Sequence, residues 1–325
     1  MTDETDLQIT LKERDSSLVL SKARSDLVAR GRKAAAAVVA RAEPAPPASL
    51  SETQKLAEQG NAAAQFNLGS AHYNGQGVTQ DYAEAALWYR RAADQGDAKA
   101  QFILGLMYDN GQGVAQDYNE AIRLYRNAAE NGNAAAMNNL GLMYAGGRGV
   151  TRDDAQAVVW YRNAAQNGNA AAMNNLGLMY AGGRGVTRDD AQAVVWYRKA
   201  AQNGQPTSMK SLGAMYEFGL GVAQDYAQAV AWYRRAAESG DPSGMTYVGG
   251  MYADGRGVVQ DDAEAAAWYR KAAEEGDPAG MNNLGTMYER GRGLVKDMAQ
   301  ALAWYQKAAA LGVEHAKANL RRLGQ

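Results

Sequence analysis

The sequence predicts an all-α solenoid of repeated helix pairs, and three observations predict it. A Leu-Gly pair recurs every 36 residues, the apolar residues of each unit fall at helical spacing, and each unit carries two helix starts and two glycine stops. The pair stands at Leu68-Gly69, Leu104-Gly105, Leu140-Gly141, Leu176-Gly177, Leu212-Gly213 and Leu284-Gly285, with Val248-Gly249 as the variant. Seven units therefore run in tandem over 61–312 without an insertion.

The first helix of each unit opens at Asn or Asp: Asn61, Asp97, Asn133, Asn169, Asp241 and Asp277, with Gln205 departing. Their side chains suit an N-cap, and Pro206, Pro242 and Pro278 suit the first helical position, where no amide is needed. Met137, Leu140, Gly141 and Tyr144 then fall at i, i+3, i+4 and i+7, one face of a helix. A GxG loop, from Gly75/Gly77 to Gly291/Gly293, closes it. The second helix opens with Asp and has Glu or Gln three residues on in all seven units, from Asp81/Glu84 to Asp297/Gln300. That spacing predicts a capping box, the second side chain reaching back to the cap amide. Trp-Tyr follows (Leu124-Tyr125 in the second unit), then an Ala-Ala pair, then a closing glycine fit for the left-handed C′ position. Aromatic residues at one fixed phase read as inter-helix core.

The unit AxxGxxxAxxxLGxMYxxGxGVxxDxAxAxxWYRxAA resembles the Sel1-like repeat, a relative of the tetratricopeptide repeat. The resemblance implies a right-handed α/α superhelical solenoid of antiparallel helix pairs. It also implies an adaptor, since members of the family are generally protein-interaction scaffolds. A cysteine-rich branch, linked to β-lactam binding, places a disulfide in each repeat; this chain has no Cys, so that activity does not carry over.

Outside the repeats, 49–59 sits in phase with a second helix and 313–325 with a first, so both read as caps. Residues 1–48 form an N-terminal extension, basic over 14–42 and broken by Pro44, Pro46 and Pro47. It reads as a partly helical or mobile tail, or as a basic amphipathic segment for a partner or an anionic surface. A weak signal-like stretch near 30–42 leaves export as the alternative to a cytoplasmic location. Residues 131–162 are identical to 167–198, which reads as duplication.

Composition narrows the function. Lys and Arg number 34 against 35 Asp and Glu, too balanced for a general nucleic-acid binder. Without Cys and with two His, the chain offers neither a metal cluster nor a His-based catalytic pair, and no apolar run is long enough for a bilayer. No cofactor is expected. The GxG loops lack the preceding strand and third glycine of a dinucleotide fingerprint, and the phased carboxylates are caps.

What remains is the face of the first helix that lines the concave side in this architecture. Taking positions two and one before the Leu, and two, five and six after it, the candidate partner-binding residues begin with Phe66, Asn67 and Tyr73 in the first unit and Phe102, Ile103 and Leu106 in the second. They continue with Asn138, Asn139, Leu142, Asn174, Asn175 and Leu178 in the near-identical pair, and with Lys210, Phe218, Tyr247, Asn282 and Asn283 beyond. Residue types vary there from unit to unit, so the fold is not expected to bury them, and the Phe side chains are expected to be exposed anchors. The reading is a non-catalytic scaffold for a protein or extended peptide. The alternatives are a β-lactam or peptidoglycan hydrolase and a self-assembling structural repeat protein.

Overall fold

The computed structural model describes residues 50–325. The N-terminal extension, with its basic stretch and its signal-like segment, lies outside them. Among the described residues there are sixteen helices and no strand, so the chain is all-α. They form two compact units. The first runs to Asn169 and takes in Arg184–Val186; the second comprises Ala170–Gly183 and Thr187–Gln325.

In the first unit, α1 (Leu50–Glu58) precedes three helix pairs: α2 (Ala62–Asn74) with α3 (Tyr82–Asp94), α4 (Ala98–Asn110) with α5 (Tyr118–Glu130), and α6 (Ala134–Gly146) with α7 (Asp154–Gln166). The second unit holds four pairs. They are α8 (Ala170–Gly182) with α9 (Asp190–Gln202), α10 (Pro206–Phe218) with α11 (Tyr226–Glu238), α12 (Pro242–Asp254) with α13 (Asp262–Glu274), and α14 (Pro278–Arg290) with α15 (Met298–Ala310). The polar helix α16 (Glu314–Arg322) follows. Within each unit a first helix packs most extensively on its own second helix, then on the second helix before it.

Both kinds of N-cap form. Asn61 accepts from the Ala64 amide and Asp97 from the Ala100 amide, while Gln205 makes no side-chain cap bond. All seven second-helix Asp residues cap, as Asp81 does with the amides of Ala83 and Glu84. The reciprocal half of the capping box does not form, for a clear reason. The cap amide is already taken: Asp81 N donates to the His72 carbonyl, and Asp153 N to that of Tyr144, both at 2.9–3.0 Å. Glu84 is thereby free to accept from the Trp88 indole at 2.9 Å, and Glu120 to pair with Arg123 at 2.7 Å.

The Tyr of each second helix is the centre of its pair. Tyr89, Tyr125, Tyr233 and Tyr305 are fully buried, and each lies against the glycine of the Leu-Gly pair on its own first helix. A Cβ at Gly105 would stand 2.8 Å from the Tyr125 ring, inside any normal contact distance. The neighbouring Trp behaves differently from the expected core residue. Trp88 is buried, but Trp196, Trp232, Trp268 and Trp304 are half-buried, each with a cation over its ring.

The two glycines of the GxG loop have separate duties. The first caps its helix in the left-handed region, as Gly111 does at φ 65°. The second approaches the preceding second helix: a Cβ at Gly113, itself at φ 71°, would lie 2.3 Å from the Tyr82 carbonyl oxygen. Backbone meets backbone there, and no rotamer change can make room.

Alanine substitutions should therefore rank in a fixed order. Gly132→Ala meets no atom within 4 Å and carries only the left-handed penalty of roughly 1–2 kcal/mol. Gly105→Ala should cost about 1–3 kcal/mol through overpacking, and Gly113→Ala should carry both penalties and be the most damaging. Denaturant unfolding of the three variants checks the order.

Candidate functional site

The first-helix face chosen from the sequence is largely a buried polar seam. Phe66, Phe102, Ile103 and Leu106, expected to be exposed, are only 2–7% accessible. Phe66 packs on the Tyr89 ring with centroids 5.5 Å apart, and Phe102 on Tyr125 at 6.0 Å. Tyr73, Asn138, Asn174 and Asn175 are buried as well. The physical reason is that variation in residue type does not require exposure. The position two before the Leu is buried as Phe in Phe66 and Phe102 and as Asn in Asn138 and Asn174, and at Asn174 a neighbour satisfies the amide: Ser208 donates to Oδ1 at 2.7 Å.

Of the remaining candidates, Asn67 is exposed, and Asn139, Leu142, Leu178, Lys210, Phe218, Tyr247, Asn282 and Asn283 are half-buried. Many of their polar atoms serve the fold. The buried Tyr side chains point their hydroxyls at this face, and polar groups from it meet them. Tyr125 shares a hydrogen bond with Asn139, Tyr197 with Ser211 and Tyr269 with Asn283, each across to the next repeat. Tyr89 donates to Ser70 at 3.0 Å, and Tyr305 lies 3.1 Å from the Thr286 hydroxyl. Burial pushes these phenols up, Tyr305 to about 12, so they remain neutral donors at physiological pH. Tyr247 differs from its equivalents: its ring stacks on Tyr233, centroids 4.8 Å apart and 13° from parallel.

The sequence reading missed a set of clips five residues after the Leu. Asp109 accepts from Tyr125 at 3.3 Å and from Arg148, in the next GxG loop, at 2.9 Å. Glu217 accepts from Tyr233 at 2.6 Å and from Arg256 at 2.5 Å. Tyr73 makes the uncharged version, donating to Gln112 at 2.9 Å. Where the position is Ala, as in Ala145, the loop arginine turns elsewhere, Arg184 pairing with Asp154 at 2.6 Å. The signal was present: an acid or a Tyr at this phase is followed 39 residues later by Arg or Gln.

These clips occupy the acidic side chains of Asp109 and Glu217. Among the described residues, no group of His, Asp or Glu is arranged to hold a metal ion. No helix there is long and apolar enough to cross a membrane.

Comparison with known families matches the Sel1 repeat to seven consecutive segments, 62–97, 98–133, 134–169, 170–205, 206–241, 242–277 and 278–313. The chain belongs to the Sel1 repeat family. Among solved structures it is similar to a protective antigen of uropathogenic Escherichia coli strains that displays an SLR fold, at 40% identity and a TM-score of 0.73. That match covers 84% of this chain and 59% of the antigen, so this Sel1 repeat chain spans about three-fifths of the antigen's length. A Sel1 repeat protein from Oxalobacter formigenes is similar at 38% identity and a TM-score of 0.72, covering 84% of this chain and 80% of that one. A comparison with curated proteins finds no match. The solenoid fold of the Sel1 repeat is typical of protein-interaction scaffolds.

Two carboxyls on this face should respond to pH with opposite sign. Burial raises Asp109 above the ordinary carboxylate value, against the pull of Arg148 and Tyr125. Its ionisation therefore costs the folded state, and the wild type loses this stability as pH climbs above about 4. Burial also pushes Glu289 upward, but hydrogen bonds from Tyr305 and Arg322 outweigh it and hold the carboxyl below its usual value. Its contribution is present above about pH 4 and lost on acidification through the lowered value. Thermal unfolding from pH 3 to 7 should thus show Asp109→Asn gaining on the wild type as pH rises, and Glu289→Gln falling behind.

Proposed function

We propose that the protein is a non-catalytic scaffold that binds a protein or an extended peptide along its first-helix surface. The observation that carries this reading is the accessible part of that surface. In the second unit, Leu178, Lys210, Phe218, Tyr247, Asn282 and Asn283 are half-exposed, and their identities change from repeat to repeat while the Gly and Tyr positions do not and the Leu position changes only to Val248. A patch carrying apolar, amide, cationic and aromatic groups on a rigid helical frame suits side-chain and backbone recognition of an extended chain. Tyr247 is the best anchor, because its ring is held flat against Tyr233 and needs little further ordering on binding. The buried Phe66, Phe102, Ile103 and Leu106 support the surface from beneath.

A hydrolase reading has less support: the acids Asp109, Glu217 and Glu289 of this face are tied to Arg148, Arg256 and Arg322. Selection of a displayed peptide library on the purified protein tests the scaffold reading. Peptides that bind should lose about 1–3 kcal/mol of affinity on Tyr247→Ala or Asn283→Ala. The reading fails if selected peptides are indifferent to both substitutions, or if purified protein turns over a β-lactam or peptidoglycan.

A further inference from the structure

The outer surface of the second helices in the second unit carries a ladder of cations that the fold holds without neutralising. Arg198, Arg234 and Arg270 donate to the hydroxyls of Tyr216, Tyr252 and Tyr288, each in the next repeat. The distances for Arg198 and Arg270 are 2.9 and 3.1 Å. The following residue of each helix, Lys199, Arg235 or Lys271, lies 4.5–4.7 Å from a Trp ring centroid, and Lys307 does the same at 4.1 Å. Among the described residues none of these seven cations forms an ion pair. Tyr hydroxyls and Trp faces fix their positions but leave their charge in place. Glu238, Glu274 and Glu275 are the carboxylates at the same ends of these helices, so cations are in excess.

The sequence marks one of these positions independently. Residues 131–168 and 167–204 are the same 38-residue sequence but for a single site, and that site is Asn163 in one copy and Lys199 in the other. The matching positions read Arg91, Asn127, Asn163, Lys199, Arg235, Lys271 and Lys307, so the cation is interrupted in the first unit and continuous in the second. Asn127 and Asn163 show that the helix tolerates an uncharged residue there. Packing does not demand the charge.

We propose that this ladder docks an acidic segment of a partner protein in extended conformation, on a surface separate from the first-helix face. Successive second helices do not pack on one another but are joined through the first helix between them, and an extended chain advances about 3.3 Å per residue. Carboxylates spaced along an extended chain can therefore meet the cations of successive repeats, which a cluster at one end of the chain cannot. An anionic membrane is the poorer occupant, because the Trp rings lie half-buried beneath the cations and are not free to enter lipid. A nucleic-acid strand is poorer too, since the interspersed glutamates would repel a continuous line of phosphates.

The test uses the full chain and a labelled twelve-residue peptide with Glu at every third position and Ser between. Anisotropy should report binding that weakens with added salt, with a change in Trp fluorescence. The variant combining Lys199→Asn, Arg235→Asn, Lys271→Asn and Lys307→Asn should keep its helical signal and unfolding midpoint and bind at least about tenfold more weakly. Tyr247→Ala should leave this binding unchanged, which separates it from the first-helix reading. The proposal is overturned if the fourfold variant binds like the wild type, if no peptide binds, or if a peptide with the same Glu residues clustered at one end binds equally well. Tighter binding to phosphatidylserine vesicles or duplex DNA than to the peptide would overturn it in favour of those partners.

Discussion

The structure depends on one contact made in every repeat, a Tyr ring seated on a glycine. The ring is large enough to dominate the burial of its helix pair, and the absent Cβ allows it to lie against the first-helix backbone. Around it the other features fall into place. The Leu before the glycine and the Ala residues of the second helix close the apolar side, and the hydroxyl projects toward the opposite face. A buried hydroxyl needs a partner, and supplying one is what recruits Ser70, Asn139, Ser211, Asn283 and Thr286 to that face. The polar seam is thus a consequence of using Tyr, where Phe would have left the face free.

The same contact explains why the repeats can differ without disturbing the fold. Each junction meets its polar obligations with its own chemistry: Tyr73 with Gln112, Asp109 with Arg148, Glu217 with Arg256. Removing one member of such a clip would strand the other at a poorly hydrated site, which ties neighbouring repeats into a set order. Stability in such arrays is local, and the variable chemistry sits at the nearest-neighbour interfaces where it acts. The binding surfaces proposed above draw on positions outside these clips, such as Lys199 and Tyr247.

The architecture was legible in the sequence because its determinants are local and repeated. Leu-Gly spacing, Asp caps and closing glycines each act within one helix turn, and seven copies remove ambiguity. The second half of the capping box was not legible, because the competing acceptor is a carbonyl nine residues earlier, as for Asp81 and His72. The surface was harder still. Phe102 looked free because its equivalents are Asn, Lys and Thr, yet it is 4% accessible. A residue list cannot show that a polar side chain at the same phase is buried and satisfied by a partner 34 residues away, as Asn174 is by Ser208. The pairs spanning 39 residues were only partly readable, since Arg follows Asp109 and Glu217 at that distance but also follows Ala145 and Ala253, where it pairs with Asp154 or Asp262 instead.

The claim that the glycine–tyrosine seat holds each repeat is tested most directly by a double-mutant cycle at Gly141 and Tyr161. A Cβ at Gly141 would lie 2.5 Å from the Tyr161 ring, among the tightest of these seats. Gly141→Ala and Tyr161→Leu should each destabilise, and the Ala substitution should cost much less once the ring is gone, a coupling of about 1 kcal/mol or more in denaturant unfolding. Additive losses, with Gly141→Ala equally costly in both backgrounds, would contradict the account.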